Sequence, residues 1–296
     1  MQGAAFCPAH ITGFFKADLE SASPESKGSL GAGFSIQDGV TTRVQVTKSD
    51  KKNFQLTISG YKPDNTLVSE YIVKKFLDLI DENYFVDVHH SISVPVGYGL
   101  GCSAAVALSL SLALNEALGT KLSRTEIGQI AHNAEISCKT GLGDVLAAFY
   151  GGFEIRTKSG APGIGTVEKI DTQYNSVIMV CFAPISTPEF LRDRLSSING
   201  LGGKMVHKLL ESKDTNEFQD MSLEFANYIK VVTPKMQKVI DELKQNDIKC
   251  GVALFGETIF VLSTPKLEDK VLNILQKYDG IIIKSKIDGS GARLAQ

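Results

Sequence analysis

The sequence predicts an α+β fold in two domains. Segments with the apolar–polar alternation of half-buried strands are interspersed along the chain with segments of helical spacing. At 296 residues the chain is long enough for two domains of ordinary size. Residues 152–170 are rich in glycine, proline, lysine and threonine, a composition typical of a junction. We therefore assign residues 1–165 to an N-terminal domain and residues 166–296 to a C-terminal domain.

Periodicity and capping patterns predict the individual elements. The predicted strands are 34–47, 54–59, 85–94, 177–182 and 281–287, with a hairpin formed by 251–255 and 258–262. Apolar spacing predicts helices over 65–81 and 267–278, and a long apolar run predicts another that ends near Leu118. Ser123 and Glu126 form a capping box, and Thr-Pro pairs at 187–188 and 233–234 mark two further helix starts.

Composition excludes several classes of protein. A net charge of −2 argues against a polyanion-binding surface, so we expect no nucleic-acid partner. Five scattered cysteines, with no Cys-x-x-Cys pair, indicate reduced thiols and neither a disulfide framework nor a zinc site. The first 15 residues lack the features of a signal peptide, and residues 104–114 are too few to span a bilayer. We expect a cytoplasmic protein without a membrane partner; a homodimer is one candidate assembly.

The most informative segment is the glycine loop, residues 95–103, which reads Pro95-Val96-Gly97-Tyr98-Gly99-Leu100-Gly101-Cys102-Ser103 and continues into helix-forming residues from Ala104. Glycines let successive N–H groups converge on an anion, and the start of the following helix offers further N–H groups. The loop lacks the Gly-Lys-Ser/Thr ending of a P-loop and the distant acidic residue of a dinucleotide fold. A phosphate cradle is therefore the functional reading, and a plain turn into a buried helix is the alternative.

This segment resembles the central ATP-binding motif of the GHMP kinases, which transfer the γ-phosphoryl group of ATP to small metabolites. The resemblance implies that ATP phosphates contact Pro95, Gly97, Gly99, Leu100, Gly101, Cys102, Ser103 and Ala104. Many members carry Ser-Ser where this chain has Cys102-Ser103, which leaves the second hydroxyl in place. The fold implied is that of the GHMP kinases, with a ribosomal-protein-S5-domain-2-like N-terminal domain and a ferredoxin-like α/β sandwich as the C-terminal domain.

A second segment supplies two carboxylates, Glu135 and Asp144, on either side of the turn Thr140-Gly141-Leu142-Gly143. Phosphoryl transfer from ATP uses Mg²⁺, which needs only one or two protein carboxylates, and a group that orients the attacking hydroxyl. The alternatives are a solvated helix face for Glu135 and a helix N-cap for Asp144. The resemblance implies that Ser103 and Glu135 bind Mg²⁺ and that Asp144 accepts the proton of the substrate.

The N-terminal segment is expected to hold the acceptor substrate. His10 stands where many GHMP kinases have a lysine, and His10, Thr12 and Arg156 are our candidate substrate contacts. Arg156 would bind a substrate carboxylate, and Phe14 or Phe15 would form an apolar wall. Residues 28–33 resemble a glycine-rich loop on the substrate side in homoserine kinases, with a mobile turn as the alternative. Gly256 lies in a turn that resembles a third phosphate-contacting motif of the family.

Within the family, the chain is most similar to the archaeal pantoate kinases, and this similarity covers nearly its whole length. It rests on residues 11–15, 28–33, 140–144, 152–156 and 161–163 and on matching segments in the C-terminal half. The implied reaction is the ATP-dependent conversion of (R)-pantoate to (R)-4-phosphopantoate in coenzyme A biosynthesis. The alternatives are a GHMP kinase for homoserine or a mevalonate-type alcohol, a catalytically inactive ATP-binding regulator, and a nucleic-acid binder.

Overall fold

The computed structural model describes residues 1–295, which form two β-sheets and nine α-helices. The strands are β1 (Gln2–Asp18), β2 (Gly28–Lys48), β3 (Asn53–Gly60), β4 (Tyr84–Ile92), β5 (Phe153–Lys158), β6 (Thr166–Ile170), β7 (Ser176–Pro184), β8 (Gly251–Ala253), β9 (Gly256–Ser263), β10 (Ile281–Lys286) and β11 (Arg293–Leu294). The helices are α1 (Leu67–Asp78), α2 (Cys102–Leu118), α3 (Arg124–Cys138), α4 (Asp144–Tyr150), α5 (Thr187–Arg192), α6 (Leu195–Ser212), α7 (Thr215–Tyr228), α8 (Pro234–Gln245) and α9 (Pro265–Leu275). The α+β prediction is confirmed.

The larger sheet has seven strands and provides most of the site. Its main path runs β11-β1-β2-β4-β3, and β5 pairs with β2 and carries β6 at its other edge. Strands β1 and β2 are long because they pair along almost their entire length, with irregularities after Pro8 and after Thr12. Helix α2 is buried nearly all round because it packs against β1, β2, α1 and α3.

The smaller sheet has the strand order β10-β7-β9-β8 with antiparallel neighbours. Numbered from the first strand, this is the 4-1-3-2 order of a βαββαβ ferredoxin-like unit, which confirms the predicted architecture. Helices α8 and α9 cover one face of this sheet with the apolar side chains of a separate core cluster. Thr233 caps α8 by accepting a hydrogen bond from the Met236 backbone, as the Thr-Pro pair predicts.

The other face of the smaller sheet joins the main core through phenylalanines. Phe218 of α7 contacts Phe14 of β1, Phe34 of β2 and Phe260 of β9, with ring centroids 5.7, 6.2 and 5.9 Å away. Each of these four side chains is fully buried. The two sheets therefore share an aromatic cluster on one face of the smaller sheet, while α8 and α9 cover its other face with a separate cluster.

Two segments differ from the sequence-based expectation. Residues 152–170, expected as a junction, contain the paired strands β5 and β6, whose glycines lie mainly in the connecting turn. Residues 28–33, expected as a loop, are the first part of β2. The division at residue 165 remains a prediction, and we propose to move it past Ile170, because β6 belongs to the larger sheet. Strand β11, near the end of the predicted second domain, also pairs with β1.

Among residues 1–295, no helix combines the length and apolar character that a membrane crossing requires.

Candidate active site

The glycine loop joins β4 to α2 and ends at the N-terminus of that helix. Gly97, Gly99 and Gly101 have φ values of +84°, +77° and +58°, a region that glycine enters without strain. Helix α2 begins at Cys102, so its unpaired N–H groups and the positive end of its dipole lie at the loop. This arrangement can bind an anion such as a phosphate.

The turn between β8 and β9 supports the glycine loop from the second sheet. A Cβ atom on Gly99 would overlap the carbonyl oxygen of Leu254, and one on Gly256 would overlap the backbone of Tyr98. The Thr258 hydroxyl donates a hydrogen bond to the Tyr98 carbonyl oxygen at 2.8 Å. Gly256 therefore packs against the backbone of the loop and is not among the residues that line the cavity.

Glu135 of α3 lies next to Ser103 at the start of α2. Its Oε1 accepts a hydrogen bond from the Thr140 hydroxyl, while its Oε2 is buried with no partner among residues 1–295. Burial, helped by the negative charge of Asp144, raises the pKa of Glu135 to about 7, although hydrogen bonds from Thr140 and Ser103 act in the opposite direction. A Cβ atom on Gly141 would overlap Oε2, so a larger residue there would displace the Glu135 carboxylate.

Asp144 is the first residue of α4 and lines the cavity. Its Oδ1 accepts hydrogen bonds from His10 Nδ1 at 2.8 Å and from the Thr12 hydroxyl at 3.2 Å, while Oδ2 accepts none within residues 1–295. Burial alone would raise the pKa of Asp144, but the hydrogen bond and positive charge of His10, together with the charge of Arg156, lower it below its usual value. The carboxylate is thus ionised and oriented, with one oxygen available.

Behind Asp144, three buried side chains continue a chain of charged or titratable groups, Asp144–His10–Glu154–Arg156. His10 Nε2 lies 2.8 Å from Glu154 Oε1, and that oxygen also accepts a hydrogen bond from Arg156 Nη1 at 2.6 Å. His10, Glu154 and Arg156 are at most 1% exposed. Residues two apart share a face of a strand, so β1 presents His10 with Thr12 and β5 presents Glu154 with Arg156.

Two glycines of β2 make room for this chain. Gly33 pairs with Thr12 on one side and Glu154 on the other, and Gly31 pairs with Arg156. A Cβ atom on Gly33 would lie 2.6 Å from His10 Nε2, and one on Gly31 would lie 2.6 Å from Arg156 Nη2. The glycine pattern of residues 28–33 therefore lets large side chains from both neighbouring strands meet across β2.

A cavity of about 390 Å³ connects these features. Its wall includes the glycine loop from Gly99 to Ser103, the turn of Thr140 and Gly141, and Asp144 and Thr12. Apolar side chains that also line it include Ile58, Pro63, Val68, Ile92 and Val106, together with the polar residues Asp64, Asn65, Thr66, Ser69 and His90. One cavity thus joins Asp144 and the glycine loop to the N-terminal part of α1 and the residues before it.

The structure brings together most of the predicted site residues. Asp144, Ser103, Glu135, Thr12 and the glycine loop lie at or beside the cavity. His10 and Arg156 do not line it, because both are buried behind Asp144.

Three further residues, Phe14, Phe15 and Glu154, differ from what the sequence predicts. Phe14 and Phe15, expected as pocket walls, instead pack against aromatic rings in the core. Glu154 was missed. The signal in the sequence is the alternation Glu154-Ile155-Arg156, which places two charged residues on the same face of a strand. In the structure these two residues pair with the glycines Gly33 and Gly31 of β2.

Comparisons with known proteins agree with this geometry. Residues 69–152 match the family described as the GHMP kinases N terminal domain. A solved structure described as a phosphotransferase related to the CoA biosynthesis pathway superposes with a TM-score of 0.91 at 26% identity, covering 100% of this chain and 99% of that one. A homoserine kinase from Cytophaga hutchinsonii, at 17% identity and a TM-score of 0.69, covers 99% of this chain and 97% of its own and shares the fold. The fold is that of the GHMP kinase class.

Two curated relatives identify the family within this class of kinases. The pantoate kinase of Methanocaldococcus jannaschii is 32% identical, with 92% of this chain and 96% of that protein aligned. The pantoate kinase of Thermococcus kodakarensis is 30% identical, with 92% and 91% aligned. The chain belongs to the pantoate kinase family.

Proposed function

We propose that this protein is an ATP-dependent kinase that phosphorylates pantoate. The proposal rests on Asp144, which lines the same cavity as the glycine loop and has one carboxylate oxygen without a partner among residues 1–295. Family membership supports pantoate as the acceptor, because relatives aligned over nine-tenths of the chain are pantoate kinases. The coarser conclusion, a kinase acting on an alcohol, follows from the family alone.

ATP is proposed to lie along the cavity with its phosphates at the glycine loop. The N–H groups at the start of α2 would bind phosphate oxygens, and the part of the cavity near α1 would receive the nucleobase. The roles of Pro95, Gly97, Gly99, Leu100, Gly101, Cys102, Ser103 and Ala104 as the phosphate contacts remain predictions. Gly256 would support this loop through its packing on Tyr98.

Mg²⁺ is proposed to be held by Ser103 and Glu135. The residues fit, because the buried Glu135 Oε2 has no partner within residues 1–295 and an oxygen is the donor that Mg²⁺ prefers. Mg²⁺ usually keeps several waters and binds substrate phosphates, so one or two protein oxygens are enough to hold it. When bound, Mg²⁺ would offset the negative charge of the phosphates.

In the proposed reaction, Asp144 Oδ2 accepts a hydrogen bond from the pantoate hydroxyl. The hydroxyl oxygen forms a bond to the γ-phosphorus as the bond to the β-phosphate oxygen breaks, and ADP leaves. The hydroxyl becomes acidic late in a loose transition state, so Asp144 first orients it and then receives its proton. The His10 contact keeps Asp144 ionised for this role.

Arg156 is the predicted partner of the pantoate carboxylate, but it is buried behind Asp144 and does not line the cavity. Arg156 Nε is buried and has no partner among the described residues. It lies close to Gly143 and Ser29, because a Cβ atom on Gly143 would be 2.9 Å from that nitrogen. Of the three predicted contacts with pantoate, only Thr12 lines the cavity and would contact the substrate directly, while His10 and Arg156 would act through Asp144 and Glu154. The cytoplasmic location and the homodimer remain predictions.

A coupled assay of ADP release with Mg-ATP tests the substrate. Pantoate, homoserine, mevalonate and shikimate are offered separately at equal concentration. We expect turnover with pantoate and rates near background with the other three. A clear preference for homoserine or mevalonate would replace the proposed acceptor, and no ADP with any of them would favour a non-catalytic ATP-binding protein.

A further inference from the structure

The hydrogen-bond geometry around His10 decides its charge. Nδ1 lies 2.8 Å from Asp144 Oδ1 and Nε2 lies 2.8 Å from Glu154 Oε1. An ionised carboxylate only accepts hydrogen bonds, whereas a neutral imidazole has one donor and one acceptor nitrogen. A neutral His10 would therefore place a nitrogen lone pair against a carboxylate oxygen. With both carboxyl groups ionised, both contacts are satisfied only when both ring nitrogens carry a proton, which makes His10 an imidazolium.

The charges of the buried chain balance in this state. Asp144 and Glu154 are negative, and His10 and Arg156 are positive. Removing the proton from His10 would leave an uncompensated negative charge in a site that is almost closed to water, which is costly. Burial alone would lower the pKa of His10, but its hydrogen bonds to Asp144 and Glu154 outweigh burial and raise it.

We propose that Glu154 is a positioning residue that keeps His10 doubly protonated, so that the His10 imidazolium holds Asp144 ionised and turns Oδ2 toward the acceptor hydroxyl. Glu154 does not line the cavity and acts only through His10. Arg156 in turn fixes the Glu154 oxygen that faces His10. This inference rests on the proposed function of Asp144, but the charge of His10 does not depend on which acceptor is used.

The surroundings of His10 leave few other sources of charge. Within residues 1–295, the charged groups that face it are Asp144 from α4 and Glu154 from β5, with Arg156 behind Glu154. Strand β2 presents Gly33, and the glycine loop presents Gly101 and the Leu100 carbonyl oxygen, which accepts a hydrogen bond from the His10 backbone. The pH behaviour of His10 is therefore set by the two carboxylates.

The first test measures the proton on His10 directly in the wild-type protein. Histidine labelled with ¹⁵N is observed by NMR from pH 6 to pH 9 without substrate, and the His10 signals are assigned by their loss in His10→Gln. We expect both ring nitrogens to be protonated at pH 8. A His10 with one unprotonated nitrogen at pH 8 would overturn the inference, whatever the acceptor proves to be.

The second test compares Glu154→Gln with Glu168→Gln by following kcat against pH. Glutamine keeps an acceptor oxygen for His10 but removes the charge, so His10 should lose its proton at lower pH. We expect the alkaline fall in kcat to occur at least one pH unit lower in Glu154→Gln than in the wild-type protein. On the alkaline side of the new midpoint, this shift makes kcat about tenfold lower than in the wild-type protein. Glu168, on the adjoining strand in an exposed ion pair with Lys213, should leave the profile unchanged.

The shape of the profile separates positioning from simple damage to the fold. A Glu154→Gln enzyme that is slower by the same factor at every pH, with His10 still protonated at pH 8, would contradict the proposal. If no acceptor supports turnover in the wild-type protein, the NMR measurement still decides the charge of His10. Failure of the proposed function and failure of this inference are therefore distinguishable.

Discussion

At the scale of single residues, Asp144 is the group on which the proposed chemistry depends. One of its oxygens is held by His10 and Thr12, and the other is available at the cavity. Orientation and ionisation thus come from partners that precede Asp144 by 134 and 132 positions in the chain. Such partners explain why an ordinary aspartate, a weak base, can serve a late proton transfer.

Replacing Asp144 with asparagine should remove the proton acceptor while leaving the phosphate loop intact. We expect kcat to fall by about 10²–10⁴-fold, the usual contribution of general base catalysis, with little change in ATP binding. Steady-state kinetics and calorimetric titration with ATP measure the two quantities. Asp171→Asn, an exposed residue after β6, is the control for the same chemical change. Near wild-type turnover in Asp144→Asn would refute the assignment.

Among the elements, the glycine loop takes its shape from its own backbone conformation and from a close contact with the second sheet. Its glycines adopt positive φ values, and Gly99 lies against the backbone of Leu254 in the turn between β8 and β9. The loop is thus held between its own helix and a turn of the second sheet. A phosphate site of this kind depends on the approach of two backbones as much as on backbone flexibility.

Two glycine-to-alanine substitutions separate these effects. Gly99 and Gly119 both have positive φ, but a Cβ atom on Gly119 would meet nothing within 4 Å. Gly119→Ala should therefore cost about 1–2 kcal/mol of unfolding free energy and keep the KM for ATP. Gly99→Ala should also displace the loop and raise that KM at least tenfold. Urea unfolding and kinetics check both, and equal KM values would show that the contact with Leu254 is unimportant.

Local patterns predicted the elements well where the pattern itself stabilises the element. The capping box of Ser123 and Glu126 is present at the start of α3, as predicted. Strands β5 and β6 were missed because their glycine-rich turn resembles a junction, and because β5 pairs with β2, more than 100 positions earlier. Glu154 was missed for a similar reason, because its role depends on a tertiary contact with His10, which is also far away in the sequence.

At the scale of the whole molecule, the two sheets depend on each other for burial. Phe218 links β1, β2 and β9 in one aromatic cluster, and the chain returns at its end to pair β11 with β1. A cavity wall made from both sheets requires this shared core, because the turn after β8 supports the glycine loop. We therefore expect the protein to unfold as one cooperative unit.

Scanning calorimetry tests this dependence with a matched pair of variants. The wild-type protein should show one transition, and Phe218→Ala should lower its midpoint by removing about 3–5 kcal/mol of stability. Tyr228→Ala, on the same helix but 52% exposed, should change stability little. Two separate transitions, only one of which responds to Phe218→Ala, would mean that the sheets unfold independently.

We propose that this cavity transfers a phosphoryl group from ATP to pantoate. Proton-coupled ³¹P NMR of the products formed from pantoate and Mg-ATP tests this transfer. Transfer to the C4 hydroxyl predicts a new phosphomonoester signal split into a triplet by the adjacent methylene protons. A doublet would place the phosphate on the C2 hydroxyl, and ADP with inorganic phosphate alone would contradict phosphoryl transfer to pantoate.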